Sequence, residues 1–138
     1  MVKGVSHIGF YSADFDAMVD FYCGLLGFKD AFEFRREDGS AWLRFIRISA
    51  GQYLELIARD TLDAQSGPYA HLCLEVEDVP ALAEKVRAAG IPLIREPACG
   101  VTGNWTFWAA DPEGNQIEFV QVMEDSVQAK LERELAGK

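Results

Sequence analysis

The feature that most constrains the fold of this sequence is an internal repeat. Corresponding landmarks recur at a nearly constant offset: Asp14 and Asp78 are 64 positions apart, and Gly27 and Gly90 are 63 positions apart. In each case an Asp precedes a stretch with helical spacing of apolar residues, as a helix N-cap does, and the Gly follows it, as a helix C-terminus requires. A constant offset indicates a duplicated module, so both halves are expected to build the same unit.

Each module is predicted to contain one strand, one helix and three further strands. In the first module the strands are expected at 5–11, 28–36, 41–49 and 52–58, from alternating apolar residues and from turns at Asp38-Gly39 and Ala50-Gly51. In the second module they are expected at 70–76, 93–95, 105–110 and 116–122.

The sequence therefore predicts an α+β fold of two tandem βαβββ modules, at residues 1–60 and 70–122, within one domain spanning 1–138. A linker is expected at 61–69, because Ser66, Gly67 and Pro68 give it the composition of a loop. A C-terminal helix is expected at 123–138, where Val127, Leu131 and Leu135 form one narrow apolar stripe.

Four polar side chains occupy matching positions in the two modules. The only two histidines, His7 and His71, are 64 positions apart, and Glu55 and Glu118, in the final strand of each module, are 63 apart. All four fall on the strand parity opposite to the apolar residues that would pack against the helices. A single strand histidine is more often hydrogen-bonded or exposed than metal-bound, but a matched set of four is better explained by one shared partner.

A divalent metal ion is that predicted partner. Imidazole and carboxylate ligands suit Ni, Co, Fe, Mn or Zn, and four protein ligands leave two octahedral positions for water or substrate oxygens. Those open positions would make metal-assisted catalysis possible. The sequence therefore predicts one metal per site, bound by His7, Glu55, His71 and Glu118.

Composition argues against several other classes of protein. A net charge of −9 opposes binding to nucleic acid, and no apolar run is long enough to cross a bilayer. Cys23, Cys73 and Cys99 are odd in number and widely spaced, so they predict reduced structural cysteines in a soluble cytoplasmic protein.

Several motifs resemble the vicinal oxygen chelate superfamily, which includes glyoxalases, bleomycin resistance proteins and extradiol dioxygenases. The most specific is the Asp-Pro-Glu-Gly-Asn turn at 111–115, which leads into Glu118. The other pieces are Val-Ser-His-Ile-Gly at 5–9, Phe-Tyr-Cys-Gly-Leu-Leu-Gly-Phe at 21–28, Tyr-Leu-Glu-Leu at 53–56 and Ala-His-Leu at 70–72. The resemblance covers about residues 2–122 and implies that the two modules form a cupped mixed sheet around a metal site.

Within this superfamily, the His, Glu, His, Glu set looks like bacterial glyoxalase I (lactoylglutathione lyase). That resemblance implies conversion of the hemithioacetal of methylglyoxal and glutathione to a 2-hydroxyacyl thioester through an enediolate. It assigns Glu118 as the base and Glu55 as a metal ligand or second proton shuttle, favours Ni or Co, and implies a homodimer.

The residues expected to contact the substrate depart from the glyoxalase I pattern. That family typically has an Arg four positions after the first ligand and an Asn four positions after the second, whereas this chain has Tyr11 and Arg59 there. These two residues, with Trp105 and Phe107, are the candidate substrate contacts, and core packing is the alternative role for the two aromatic residues on 105–110.

Three alternative functions remain open on the sequence alone. A related epimerase would use the same chemistry on a substrate without glutathione, although its second ligand is often Gln. An extradiol dioxygenase is disfavoured because Glu55 would fill a position that oxygen needs. A drug-binding resistance protein of the same fold would need no metal.

Overall fold

The structure is a computed structural model that describes residues 1, 5, 7–62 and 71–138. The chain divides into two compact units, Met1–Gly67 and Pro68–Lys138. Most of the linker expected at 61–69, namely residues 63–69, lies outside the described residues. Within the described ranges, no helix is both long enough and apolar enough to cross a membrane.

The first unit contains one mixed four-stranded sheet. Its elements are β1 (His7–Ser12), α1 (Phe15–Val19), β2 (Lys29–Arg35), β3 (Ala41–Ser49) and β4 (Gln52–Ala58). The strand order is β1-β4-β3-β2, with β1 parallel to β4 and the other pairs antiparallel. The first and last strands of the module are therefore neighbours, which brings their side chains side by side.

The second unit repeats this arrangement and adds a helix. Its elements are β5 (Leu72–Glu75), α2 (Val79–Ala88), β6 (Leu93–Cys99), β7 (Trp105–Ala110), β8 (Gln116–Gln121) and α3 (Val127–Ala136). The strand order is β5-β8-β7-β6, with β5 parallel to β8. The predicted α+β fold of two βαβββ modules followed by a C-terminal helix is confirmed.

One face of each sheet is apolar and buried, as strand parity predicts. Leu54 and Leu56 on β4, and Ile117 and Phe119 on β8, are at most 1% exposed. Because successive side chains of a strand point to opposite faces, Glu55 and Glu118 must lie on the other face of their sheets. That second face, which carries the His and Glu side chains, is called the His–Glu face below.

The predicted helix caps are present, but the first helix has an unexpected form. Asp14 accepts a hydrogen bond from the Ala17 N–H, and Asp78 accepts one from the Ala81 N–H, so both residues act as N-caps. Beyond Val19 the first helix continues as a π-helical segment, Asp20–Leu25. This wider turn buries both Phe21 and Tyr22, a pair that simple helical spacing does not place together.

Two other elements differ in length from their predictions. β6 extends to Cys99 although it contains Pro97, because it is an edge strand with breaks in its register, where a missing N–H donor is tolerated. α3 begins only after Ser126, whose buried hydroxyl caps it by accepting from the Ala129 N–H.

Candidate metal centre

In the first unit, the structure brings His7 and Glu55 into direct contact. His7 opens β1 and Glu55 lies in the middle of the parallel neighbour β4, with Nε2 of the imidazole 3.0 Å from Oε2 of the carboxylate. The imidazole is 46% exposed and the carboxylate 16% exposed, so the pair is anchored in the sheet on the Glu side and open to a ligand on the His side.

The second unit contains the equivalent pair. His71 precedes β5 and Glu118 lies on β8, with Nε2 of the imidazole 3.1 Å from Oε2 of the carboxylate. Here the exposed fractions are 33% for the imidazole and 22% for the carboxylate. The predicted repeat of one His and one Glu per module is therefore matched by nearly identical contacts.

The Asp-Pro-Glu-Gly-Asn turn sets the position of Glu118. The Asp111 carboxylate, 5% exposed, accepts hydrogen bonds from the Glu113 N–H, the Asn115 N–H and the Asn115 side-chain amide. Gly114 adopts a left-handed conformation with φ 86°, which closes the turn. The resulting hairpin pairs Trp108 on β7 with Glu118 on β8.

Each Glu is flanked in its sheet by two cross-strand partners, which occupy corresponding positions in the two modules but differ in residue type. Gly9 and Phe45 are the cross-strand partners of Glu55. Cys73 and Trp108 are the partners of Glu118. The second module therefore has a thiol and an indole where the first has a glycine and a phenyl ring.

Desolvation by burial, together with the negative charge of Glu118, raises the pKa of the Cys73 thiol to about 11. The thiol is consequently protonated at neutral pH in the protein without metal. His71 and Glu118, rather than a thiolate, are thus the ready donors of this unit.

The donor atoms of both pairs fit a divalent ion. Two ligand atoms held at about 2.1 Å from one metal, at right angles, lie about 3 Å apart. The pairs at 3.0 and 3.1 Å meet this condition, although a His–Glu hydrogen bond has the same length. Among the residues that the structure describes, no group of three or more His, Cys, Asp or Glu side chains is arranged to hold a metal. The observed geometry therefore consists of two matched pairs.

Tyr11 and Arg59 are in contact with each other. The guanidinium carbon of Arg59 lies 3.4 Å from the centroid of the Tyr11 ring, a cation–π contact. Arg59 also lines a cavity of about 520 Å³ together with Arg36, Ser12 and Ser40. A positive group is therefore available beside the carboxyl ends of β1 and β4, where an acidic substrate group could bind.

The two aromatic candidates on β7 have different environments. Phe107 is fully buried and stacks on Phe119 with ring centroids 4.6 Å apart, which favours the alternative role in core packing over the predicted contact with substrate. Its parity places it on the apolar face, where burial of an aromatic ring stabilises the core. Trp105, at the start of the same strand, is 38% exposed.

Trp108 lies beside the second His–Glu pair. Its ring centroid lies 4.5 Å from that of His71, and the guanidinium carbon of Arg95 lies 5.2 Å from the indole centroid. Trp108 follows Phe107 on β7 and so lies on the opposite face, which is the signal that the sequence offers for its position. The contact with Arg95 depends on the irregular register of β6, which the alternation of residues does not reveal.

Comparisons with known proteins agree with this architecture. The family model of the Glyoxalase/Bleomycin resistance protein/Dioxygenase superfamily matches residues 4–119. A probable lactoylglutathione lyase from Synechocystis sp. is 30% identical over 115 residues, covering 78% of this chain and 87% of the relative.

Solved structures show the same fold at lower identity. A lactoylglutathione lyase from Agrobacterium tumefaciens has a TM-score of 0.68 at 20% identity, covering 87% of this chain and 94% of its own. A glyoxalase I mutant from Zea mays has a TM-score of 0.76 at 23% identity, covering 86% of this chain and 45% of its own. The match over most of the chain and the repeated βαβββ module lead to one conclusion: the chain belongs to the Glyoxalase/Bleomycin resistance protein/Dioxygenase superfamily.

Proposed function

We propose that this protein is a metal-dependent lyase of the glyoxalase I type, which converts the hemithioacetal of a 2-oxoaldehyde and a thiol into a 2-hydroxyacyl thioester. The observation that carries the proposal is the repeated His–Glu pair, with donor atoms 3.0 Å apart in one unit and 3.1 Å apart in the other. The similarity to a probable lactoylglutathione lyase supports the same reaction class.

The proposed centre uses His7 and Glu55 from one unit and His71 and Glu118 from the other to bind one divalent ion, with Ni or Co favoured and Zn, Mn or Fe as alternatives. Two donors of each kind give neutral imidazoles and two negative carboxylates, a set that neutralises a divalent charge. When bound, the ion would supply Lewis-acid stabilisation of negative charge on the substrate oxygens.

The carboxylates would move the proton. Glu118 would remove the proton from the substrate carbon that carries the sulfur and return it to the neighbouring carbon. The hydroxyl proton of the first carbon would pass to the oxygen of the second, with Glu55 as the second proton shuttle. The result is an isomerisation, because the proton removed from one carbon is replaced on the next and no oxidant is needed. Glu118 is suited to this role because the Asp111 turn fixes its register and its carboxylate remains 22% exposed.

Arg59, stacked on Tyr11, is the proposed contact for a carboxylate of the substrate or of its thiol component. The position of this charge also supports a second candidate function. The glyoxalase I pattern has Arg and Asn where this chain has Tyr11 and Arg59, so an acidic substrate whose charge lies elsewhere than in the glutathione adduct would suit this chain. That second function is an epimerase, which would act on a different acidic substrate with the same metal centre. We also propose that the protein is a cytoplasmic homodimer.

The direct test is formation of S-lactoylglutathione from methylglyoxal and glutathione by the protein loaded with Ni²⁺ or Co²⁺. We expect the wild type to form the thioester and Glu118→Gln to abolish turnover, since the amide cannot accept the proton. Glu124→Gln, which changes an exposed glutamate just beyond β8, is the matched control and should remain active.

Circular dichroism should show that Glu118→Gln retains the fold. Wild-type protein that takes up no divalent metal under any loading condition would refute the proposed function. Protein that binds metal but forms no thioester would refute the glutathione reaction and favour the epimerase.

A further inference from the structure

One aromatic side chain adjoins both proposed ligands of the second unit. Trp108 is the direct cross-strand partner of Glu118, and its ring centroid lies 4.5 Å from that of His71, with an interplanar angle of 59°. Directly opposed residues of an antiparallel pair have their β-carbons about 5 Å apart. The indole therefore lies against the His71–Glu118 pair on the His–Glu face.

Trp108 is itself held from its other side. The Arg95 guanidinium carbon lies 5.2 Å from the indole centroid, within the range of a cation–π contact. The indole is part-buried, and the hairpin closed by Asp111 fixes its strand register. Its position is consequently determined by backbone pairing and by Arg95 before any ligand binds.

In the first unit, the residue equivalent to Trp108 makes a looser contact with its histidine. Phe45 is the cross-strand partner of Glu55, 63 positions before Trp108, but its ring centroid is 6.2 Å from that of His7. The face of Phe45 is occupied by Phe32, which stacks on it at 4.7 Å. The His7 imidazole is also more exposed than that of His71, 46% against 33%. The two histidines are therefore not equally restrained.

Restraint matters because an imidazole must present its nitrogen along one direction to bind a metal. A free histidine loses rotamer freedom on binding, whereas one already fixed by its surroundings loses less. In the second unit the Glu118 carboxylate contacts one edge of the imidazole and the indole of Trp108 restricts the rotation of the ring.

We infer that Trp108 is a positioning residue for metal binding: it holds the His71 imidazole in its ligating orientation, so that His71 and Glu118 form the pre-organised half of the centre. This inference rests on the proposed metal centre and adds a residue to it. Trp108 does not contact the ion; it acts through His71 and Glu118.

The first test compares Co²⁺ affinity among variants, measured by competition with a chromogenic chelator. Trp108→Ala should weaken Co²⁺ binding about 10-fold or more, as losses of outer contacts to metal ligands do, while Trp108→Phe recovers most of the affinity. The control is Trp42→Phe, which changes an exposed tryptophan on β3 whose strand parity is opposite to that of Phe45. This variant should bind Co²⁺ like the wild type. The visible absorption spectrum of bound Co²⁺ should change in Trp108→Ala, because the ligand geometry changes.

The second test uses the indole as a reporter and does not depend on the folding of Trp108→Ala. The double variant Trp42→Phe/Trp105→Phe leaves Trp108 as the single tryptophan, and Co²⁺ should quench its fluorescence strongly. The double variant Trp105→Phe/Trp108→Phe leaves only Trp42, whose fluorescence should change little.

The outcomes separate this inference from the proposed function. Wild-type protein that binds no Co²⁺ would remove the proposed metal centre itself. Wild-type protein that binds Co²⁺ would overturn the inference alone if Trp108→Ala kept wild-type affinity and spectrum, or if the Trp108-only chain showed no quenching.

Discussion

Asp111 is a buried carboxylate that controls the position of Glu118, the proposed catalytic base, seven positions away. It accepts three hydrogen bonds within the turn that joins β7 to β8. Those bonds fix which residue of β7 faces which residue of β8, and a slip of one position would move Glu118 to the apolar face. The sequence made this turn predictable, because Asp, Pro and Gly occupy turn-favoured positions.

Replacing Asp111 should therefore reduce both stability and metal binding. We expect Asp111→Ala to lower the free energy of unfolding by about 2 kcal/mol or more, because part-buried N–H groups lose their acceptor. Asp111→Asn keeps one acceptor oxygen for the two backbone N–H groups and should lose less. Urea unfolding of the two variants gives the comparison, and equal losses would show that the hydrogen bonds are not responsible.

The helices, strands and turns that depend on interactions between neighbouring residues were predicted correctly from local sequence patterns. Both helix N-caps, the strands β3, β4 and β7 and the turn glycines follow from neighbouring residues, and all appear in the structure. The π-helical segment and the late start of α3 were missed, because they depend on packing. The delayed start of α3 involves Asn104, which contacts residues 19 and 24 positions away.

Asn104 joins the β6–β7 loop to α3. It is 2% exposed, and its side-chain oxygen accepts a hydrogen bond from the Met123 N–H at 2.9 Å. The Val127 N–H donates to the Thr102 carbonyl oxygen at 3.0 Å, and Gly103 lies so close to Ser126 that a β-carbon would be 3.4 Å from its α-carbon. Loop and helix should consequently move together.

We predict that Asn104→Ala loosens both elements. Leaving the Met123 N–H without its acceptor should cost about 1–3 kcal/mol, and amide hydrogen exchange should accelerate over residues 100–104 and across α3. Gln128→Ala removes only the 3.3 Å contact with the Asn104 amide and is the matched control, with little expected change. Faster exchange over the whole chain, without a local effect, would contradict the joining role.

For the whole molecule, the repeat predicted more than any single residue did. Constant offsets identified two βαβββ modules, and parity separated the apolar face from the His–Glu face in both. Parity also puts the adjacent residues Phe107 and Trp108 on opposite faces of β7, and in the structure one is core and the other lies against His71. The pairing of β7 with β8 decides which face each one takes, because it sets Trp108 opposite Glu118 and Phe107 opposite Phe119.

The proposed centre requires both His–Glu pairs to bind the same ion, and this can be tested by counting the Co²⁺ ions bound per chain. Co²⁺ binding is measured by isothermal titration of the wild type, His7→Ala and His71→Ala. The wild type should bind about one ion per chain, because four protein ligands complete a single centre. Both variants should lose tight binding, since each removes a ligand of that same ion. A second ion per chain, or a variant that keeps wild-type affinity, would contradict the shared centre.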